Sequence, residues 1–302
     1  MRLRRLLRQL ETSGAQAVVI HGCQDARFAR SVHMRGVPVA YTPHSPVPLF
    51  REIAATSNGR DSLIGQLRTR RAVRMARANE SELFRVAKII VFPSPGAVEE
   101  YADTLHPEWR AKVRFVPSGV PEPETSSAPT AAVARRVPTI LFAGRYVEHK
   151  GFDIYCAAAR IVQGQTNAAF QSMGSGPIAA TQPVLDLGWV EEPSAILNAS
   201  DIVVVPNRVA YFDLLPLEAA AHGAALVFTP VGGNVDQATS FPASVLAEGT
   251  SPTSVAAAIL QAVQLVRQSP DWGSQNRESF QQMYSSTAMT RSWDTLCRDD
   301  LL

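Results

Sequence analysis

Short runs of mainly apolar residues recur along the chain and are separated by longer segments of mixed polarity. The runs that we interpret as strands are 17–20, 37–41, 89–92, 113–116, 138–143, 168–173, 202–205 and 225–228. The run 202–205 is short, β-branched and without polar alternation, which is typical of a parallel strand buried on both faces. The pattern therefore predicts an α/β protein with parallel sheets.

The intervening segments predict helices over 2–12, 24–35, 60–88, 95–105, 152–162, 194–199, 252–268 and 276–300. A further helix should follow strand 202–205. Pro216 suits its first position, and Gly223 suits the residue that closes it. Glu218 then falls in the first turn, where the helix dipole favours a carboxylate.

Composition is that of a soluble globular enzyme large enough for two α/β domains. The chain has 302 residues, of which 46% are hydrophobic and 19% charged. No apolar run reaches the roughly 18 residues that a membrane span needs. The basic N-terminus lacks a continuous apolar core, so we expect no signal peptide and a cytoplasmic protein. The three cysteines lie far apart, as inert thiols in a reducing compartment would.

Charge is distributed unevenly between the two halves. Residues 1–120 hold 19 Lys and Arg against 10 Asp and Glu, whereas the remainder holds 10 against 17. Two domains with different partners would explain this asymmetry. We predict an N-terminal domain over 1–122, a linker over 123–137 rich in Pro, Ser, Thr and Ala, a second domain over 138–275, and C-terminal helices over 276–302 that return toward the first domain.

Residues 206–234 connect two predicted parallel strands through a loop, a short helix and a glycine pair. Both loops should lie at the carboxyl edge of the sheet, where α/β proteins bind ligands. The core of this segment is Ala210-Tyr211-Phe212-Asp213-Leu214-Leu215-Pro216-Leu217-Glu218. It resembles the signature of the retaining family 4 glycosyltransferases, also called glycosyl transferases group 1, in which two glutamates are separated by seven residues.

The resemblance extends over 138–237 and, more loosely, over 17–120. It implies the GT-B fold, which has two Rossmann-like domains with parallel sheets. Gly144-Arg145 and Lys150-Gly151 resemble the family's phosphate loop, and Gly174-Ser175-Gly176-Pro177 resembles a second glycine turn. Gly188-Trp189-Val190 resembles the segment beside the nucleotide base. Compared with the family, Ala210 replaces the first glutamate and Asp213 replaces a glycine.

Roles follow from this resemblance for particular residues. Glu218 would accept the ribose hydroxyls, and Arg145 and Lys150 would stabilise the leaving diphosphate. Backbone N–H groups of Asp213, Leu214 and Leu215 would hold the donor's phosphate or sugar. Asp213 would repel phosphate or bind a sugar hydroxyl in place of the missing glutamate. The contacts of Gly144, Gly174, Trp189 and Val190 with the nucleotide complete the implied donor site.

In the first domain, the segment Thr42-Pro43-His44-Ser45 ends a predicted strand. It resembles a family segment whose histidine faces the donor sugar, so His44 is a candidate catalytic residue. Strands that normally open this domain are missing, and we expect either a reduced domain or a reading frame that starts late. The edge of such a short sheet needs a cover, for which a partner chain, a dimer or a rearranged N-terminus would serve.

No metal site or cofactor is expected besides the nucleotide sugar itself. The sequence has no Asp-x-Asp motif and no ligand-spaced cluster of His, Cys and Asp. In the family, the retaining reaction resembles departure and attack on one face of the sugar, with the leaving phosphate helping to take the acceptor's proton. Such a reaction needs positioned cations more than a protein nucleophile.

Arginines are concentrated at 68–77, which holds Arg68, Arg70, Arg71, Arg74 and Arg77. A solvated basic face and a contact with an anionic membrane or lipid-linked acceptor both fit this segment. Nucleic acid fits poorly, because no aromatic residues are interleaved with the arginines.

The resemblance implies a retaining glycosyltransferase that moves a sugar from a nucleoside diphosphate sugar to a glycan or lipid-linked acceptor, in cell-surface polysaccharide synthesis. Two alternatives stay open. One is a non-catalytic GT-B remnant that binds nucleotide or a partner transferase, which Ala210 favours. The other is a nucleotide-sugar epimerase of the same fold.

Overall fold

The computed structural model describes residues 2–56, 63–123 and 137–302. Its strands are β1 (Val18–Ile20), β2 (Val39–Tyr41), β3 (Ile89–Phe92), β4 (Val113–Phe115), β5 (Thr139–Arg145), β6 (Ala169–Ser175), β7 (Leu185–Asp186), β8 (Ile202–Val205), β9 (Ala225–Phe228) and β10 (Ser244–Leu246). All of them pair in parallel. The predicted α/β class with parallel sheets is therefore confirmed.

The α-helices are α1 (Arg2–Ser13), α2 (Ala26–His33), α3 (Leu49–Thr56), α4 (Leu63–Val86), α5 (Pro107–Arg110), α6 (Phe152–Gln163), α7 (Ser194–Asn198), α8 (Leu215–Ala221), α9 (Gly233–Ser240), α10 (Pro252–Gln268), α11 (Gln275–Ser279) and α12 (Ser286–Leu296). Short 3₁₀ turns cover Cys23–Asp25, Gly96–Tyr101, Glu148–Lys150 and Trp272–Ser274. Wider π turns cover Phe280–Tyr284 and Cys297–Leu301.

The chain divides into two compact units. Unit 1 comprises Met1–Val116 and Arg291–Leu302, and unit 2 comprises Pro117–Thr290. Unit 1 thus ends before the predicted boundary at 122. The reason is that Val120 donates a backbone hydrogen bond to Tyr284 and bridges Ser285, both in unit 2. Most of the predicted linker lies outside the described residues.

Unit 1 is built on a four-stranded sheet in the order β1-β2-β3-β4. Its core is aromatic, since Phe84 packs against Tyr41, Tyr101 and Trp109. The C-terminal segment is fastened to this unit, because Arg114 pairs with Asp300 at 2.8 Å. A partner chain that covers the edge of this sheet stays a prediction.

Unit 2 has a six-stranded sheet in the order β10-β9-β8-β5-β6-β7. Ile202 and Val204 of β8 enter the apolar cluster that contains α6 and α10. Val203 and Val205 point to the other face, into the cluster that contains α8 and Tyr284. The chain starts at β5, runs outward to β7 and returns to β8 on the opposite side of β5. The carboxyl ends of β5 and β8 therefore form a topological switch point, which is where open α/β sheets bind ligands.

Some predicted elements were wrong in detail. Residues 95–105 form only the 3₁₀ turn Gly96–Tyr101 and not a helix. The predicted helix over 276–300 is broken at Ser285, whose backbone is extended at φ −70° and ψ 156°. That extension lets Ser285 bridge Val120. Helix α8 begins at Leu215, which puts Pro216 one position later than predicted.

The long arginine-bearing helix was predicted over 60–88, and α4 covers Leu63–Val86; residues 60–62 lie outside the described chain. Among the helices that the structure describes, none combines the length and apolar character that crossing a membrane requires.

Candidate active site

A cavity of about 150 Å³ lies at the switch point between the carboxyl ends of β5 and β8. Five predicted site residues line it together: Gly144, Lys150, Asp213, Leu214 and Leu215. Gly144 belongs to the end of β5, where a loop had been predicted, and Lys150 ends the 3₁₀ turn that follows. The others come from the loop between β8 and α8 and from the first residue of that helix.

The charged groups of this cavity pair with each other. The ammonium of Lys150 donates to both carboxylate oxygens of Asp213, each at 2.7 Å. Nδ2 of Asn207 donates to Oδ2 of the same carboxylate at 2.7 Å. The carboxylate of Asp213 therefore accepts hydrogen bonds from one cation and one amide. The cation is Lys150, which was predicted to bind phosphate.

Buried polar residues hold Asp213 and its loop through hydrogen bonds. Asn207, Thr229, Asn234 and Gln237 are all fully buried. Thr229 donates its hydroxyl to the carbonyl of Asn207 at 2.6 Å, and Gln237 donates to the carbonyl of Asp213 at 2.8 Å. Because buried polar groups that are bonded in this way restrict each other's geometry, the loop that carries Asp213 is held in one arrangement.

A close backbone contact, an ion pair and a backbone hydrogen bond join the loops after β5 and β8. Gly151 has a left-handed φ of 68°, and a Cβ at this position would overlap the carbonyl oxygen of Pro206. Arg208 forms a two-pronged ion pair with Asp153, at 2.7 and 2.6 Å. Its backbone N–H donates to the carbonyl of His149 at 2.9 Å. Lys150 is thus placed opposite the loop after β8 by backbone contact as well as by charge.

The remaining predicted donor residues of unit 2 lie at the ends of neighbouring strands. Gly174 of β6 is in register with Gly144 of β5 and donates its N–H to Gly188 at 2.8 Å. The next side chain, Trp189, is 79% exposed, whereas Val190 packs against the apolar cluster under α8. Arg145 is exposed, with Nη2 3.2 Å from Nε2 of His149.

Glu218 lines a second cavity, of about 210 Å³, whose walls include Glu122, Ser194 and His222. Burial raises the pKa of the Glu218 carboxyl above its ordinary value. No described residue gives this carboxylate a hydrogen bond or an ion pair. Burial and the charge of Arg277 lower the pKa of His222. A half-buried, unpaired carboxylate facing an open cavity is suited to accept hydrogen bonds from hydroxyl groups of a ligand.

His44 lies in unit 1, at the carboxyl end of β2. Its Nε2 is 2.8 Å from Nδ1 of His21, which follows the neighbouring strand β1. The two rings are stacked, with centroids 5.1 Å apart. Burial, and then the charge that His21 carries when protonated, lower the pKa of His44. A hydrogen bond between two imidazoles needs one ring as a neutral acceptor, so the pair favours a neutral form.

Several residues of this site were missed by sequence reasoning, notably Asn207, Arg208 and Gln237. Asn207 had a usable signal, because a polar residue directly after a buried strand lies at the binding edge of the sheet. Nothing in the local pattern marks Gln237, which reaches Asp213 only through the fold. In the described parts of the chain, no group of three or more His, Cys, Asp or Glu side chains is arranged to hold a metal ion.

Comparisons with known proteins agree with this architecture. Residues 137–264 match the family described as Glycosyl transferases group 1. No curated protein sequence matched the chain. The fold is similar to that of sucrose-phosphate synthase from Thermosynechococcus elongatus, with 18% identity, a TM-score of 0.71, and coverage of 98% of this chain and 76% of the synthase.

Two further solved structures are similar. HepE of Anabaena, in complex with UDP, has 12% identity and a TM-score of 0.70, covering 98% of this chain and 82% of HepE. The catalytic domain of starch synthase IV from Arabidopsis thaliana, bound to ADP and acarbose, has 15% identity and a TM-score of 0.69, covering 98% of this chain and 76% of that domain. The chain has the fold of the GT-B glycosyltransferases, and its match to the glycosyl transferases group 1 family covers residues 137–264.

Proposed function

We propose that this protein is a retaining glycosyltransferase that moves a sugar from a nucleoside diphosphate sugar to a glycan or lipid-linked acceptor in cell-surface polysaccharide synthesis. One observation carries the proposal. Lys150 and the loop over 213–215 line one cavity at the switch point of the sheet, inside the residues that match the glycosyltransferase family.

The cavity of Lys150 is the proposed diphosphate site. Gly144 leaves room for phosphate oxygens at the end of β5, and Arg145 follows it as an exposed second cation. Fixed cations stabilise the negative charge that develops on a departing diphosphate, and they do so without rearranging during the reaction. HepE bound to UDP and starch synthase IV bound to ADP support a nucleoside diphosphate as the ligand class.

The nucleoside would contact the neighbouring strand ends. Glu218 is the proposed acceptor of the ribose hydroxyls, since its carboxylate is unpaired among the described residues and lines the second cavity. Trp189 is the proposed stacking surface for the base, because an indole that is 79% exposed contributes little to the core. Gly174 and Val190 are also proposed to contact the nucleotide.

In the proposed reaction, the bond between the anomeric carbon and the diphosphate oxygen breaks. A bond to the acceptor hydroxyl oxygen forms on the same face of the sugar. The hydroxyl proton passes to the departing phosphate oxygen, so the products are the glycoside and the free nucleoside diphosphate. The family resemblance makes His44 a proposed catalytic residue, and its lowered pKa favours the neutral imidazole.

Turnover with defined donors tests this proposal. Sugar nucleotides of uridine, guanosine and adenosine are incubated with lipid-linked and soluble glycan acceptors, and the anomeric configuration of the product is read by NMR. We expect acceptor-dependent nucleotide release with retention. Lys150→Met should abolish it, and Arg160→Met, an exposed cation on α6, should not. Hydrolysis without transfer, or inversion, would contradict the proposal.

A second candidate is a nucleotide-binding protein that does not catalyse transfer. Two observations favour it: Ala210 is buried and apolar where the family has a glutamate, and Lys150 is already neutralised by Asp213. The same assay separates the candidates. Nucleotide binding with no release, across all donors and acceptors, would support this second reading.

The acceptor side is proposed to contact an anionic membrane through α4. Ile64 and Leu67 are 65% and 64% exposed, and Met75 is also exposed. They share one helix face with Arg68, Arg71 and Arg74, because their spacing follows three and four residues. Exposed apolar side chains among arginines are typical of interfacial helices.

Vesicle flotation tests this contact. We expect binding to vesicles with phosphatidylglycerol and none to pure phosphatidylcholine, with Leu67→Gln and Arg71→Gln each weakening it. Equal behaviour with both vesicle types would favour a solvated basic face. Membrane contact would place the protein at the inner surface of the membrane.

A further inference from the structure

In the contact between Lys150 and Asp213, a carboxylate of the protein takes hydrogen bonds that a bound phosphate would otherwise accept. An ammonium carries one charge and three donors, and Lys150 gives two of these donors to the carboxylate of Asp213. The carboxylate lines the same cavity as the cation, so it occupies acceptor positions that phosphate oxygens would use. We infer that Asp213 competes with the donor's diphosphate for Lys150 and thereby selects sugar nucleotides over free nucleoside diphosphates. This inference rests on the proposed function.

The pair is built into the fold rather than formed by chance on the surface. The side chains of Lys150 and Asp213 are 25% and 20% exposed. Asn207, which is 1% exposed, donates to the carboxylate, and the buried Gln237 holds the carbonyl of the same residue. Ion pairs between flexible, solvated side chains are weak because ordering them costs entropy. Here the hydrogen bonds from Asn207 and Gln237 already fix Asp213, so its pairing with Lys150 costs less entropy.

Charge balance then determines which anions are accepted. In the closed pair, Lys150 offers a phosphate little net attraction, and Asp213 repels it at close range. A diphosphate must therefore share or take the cation from Asp213. Because nearby like charges oppose each other's ionised forms, removing the carboxylate charge should strengthen nucleotide binding on the order of 10-fold.

A sugar nucleotide has a way to offset this repulsion that a free nucleotide lacks. Its sugar hydroxyls are hydrogen-bond donors, and a carboxylate released from Lys150 is an acceptor. After transfer the sugar is gone, and the remaining nucleoside diphosphate faces Asp213 with no such contact. The same residue would therefore weaken product binding more than substrate binding, which favours product release.

Calorimetric titration tests the competition. The probes are UDP, GDP, ADP, inorganic pyrophosphate and the sugar nucleotides of the same bases. The variants are Asp213→Asn, Asp213→Ser, Lys150→Met and the double variant Lys150→Met with Asp213→Asn. Asp271→Asn, an exposed aspartate outside the cavity, is the matched control. Each variant is first checked for cooperative melting.

We expect Asp213→Asn and Asp213→Ser to bind the preferred nucleoside diphosphate about 10-fold tighter than the unmodified protein, and to lose most of that gain when Lys150 is also replaced. In Asp213→Asn and in Asp213→Ser, the affinity for the sugar nucleotide divided by the affinity for the free nucleoside diphosphate should be lower than in the unmodified protein. Nucleotide binding that is unchanged or weaker in these variants would overturn the competition and leave the donor site standing. If no folded variant and no unmodified protein binds any probe, the donor site itself is wrong, and the competition with it.

Discussion

Gly151 lies directly against the carbonyl of Pro206, so that a Cβ on Gly151 would overlap the carbonyl oxygen. This contact joins the loop after β5 to the loop after β8, and Lys150 is the residue immediately before it. The glycine also adopts a left-handed φ of 68°, which side chains oppose. The position of the key cation therefore depends on a residue that has no side chain.

Replacing Gly151 by alanine should destabilise the protein by at least about 2 kcal/mol, since left-handed backbone alone costs roughly 1–2 kcal/mol outside glycine and the clash adds to it. Gly164 provides the control, because its φ is −70° and a Cβ there would lie 3.8 Å from the nearest atom. Gly164→Ala should be neutral or slightly stabilising. Urea unfolding measures both; equal effects of the two substitutions would contradict this account of Gly151.

Asn207 is expected to stabilise the fold, in addition to lining the proposed diphosphate cavity. Asn207→Ala removes a buried donor and leaves Asp213 with one fewer hydrogen bond, which should cost about 1–3 kcal/mol. The exposed Asn167, replaced by alanine in the same way, should have little effect. A loss for Asn207→Ala as small as that for Asn167→Ala, measured by urea midpoint, would show that the network under Asp213 is not formed.

Glu80 in α4 predicts a pH dependence of stability. Burial raises the pKa of its carboxyl to about 7, and a hydrogen bond from the backbone of Leu49 opposes the shift. An unfolded glutamate has a pKa of about 4.3. Between these values the folded protein binds more protons than the unfolded chain, so the contribution of Glu80 is present at low pH and is lost as pH rises toward 7.

Glu80→Gln should therefore flatten the fall in free energy of unfolding between pH 5 and pH 8. At pH 8 it should be more stable than the unmodified protein by roughly 1–3 kcal/mol. Glu82→Gln is the control, because its hydrogen bond to Arg85 lowers the pKa of Glu82 and its titration lies below this window. An identical pH slope in Glu80→Gln and the unmodified protein would refute the assignment.

Replacing Trp189 should weaken nucleotide binding without changing the stability of the fold. Because its side chain is 79% exposed, Trp189→Ala should leave the melting temperature of the unliganded protein nearly unchanged. Base stacking on an aromatic ring is worth roughly 1–3 kcal/mol, so nucleotide affinity should fall several-fold or more. Trp189→Phe should recover part of it. Undiminished affinity of Trp189→Ala in calorimetric titration would remove this residue from the donor site.

The buried strands could be predicted from the sequence alone. Ile89–Phe92, Ile202–Val205 and Ala225–Phe228 were predicted with their observed bounds, because an apolar run of four residues is too short for a buried helix and is typical of a buried strand. The break at Ser285 could not be predicted. Its side chain gives no helix-breaking signal, and its extended backbone is explained by the bridge to Val120, which is distant in sequence.

The candidate site was predictable as a set of loops but not as a set of contacts. Parallel strands place their carboxyl ends at one edge, so Gly144, Lys150 and Leu214 could be expected near each other. That Lys150 pairs with Asp213 could not be read from the pattern, since 63 residues separate them. The buried residues that orient Asp213 are Asn207 in the loop after β8 and Gln237 in α9, and Thr229 after β9 holds Asn207. Only the packing of unit 2 brings these elements together.

The most direct test of the central claim is a thermal shift with UDP, GDP and ADP on the unmodified protein, on Lys150→Ala and on Arg160→Ala. A nucleotide at about a hundred times its dissociation constant should stabilise the fold by roughly 2.7 kcal/mol. We predict that one nucleotide raises the melting temperature of the unmodified protein and of Arg160→Ala but not of Lys150→Ala. No shift with any nucleotide, in a protein that melts cooperatively, would contradict the donor site at Lys150.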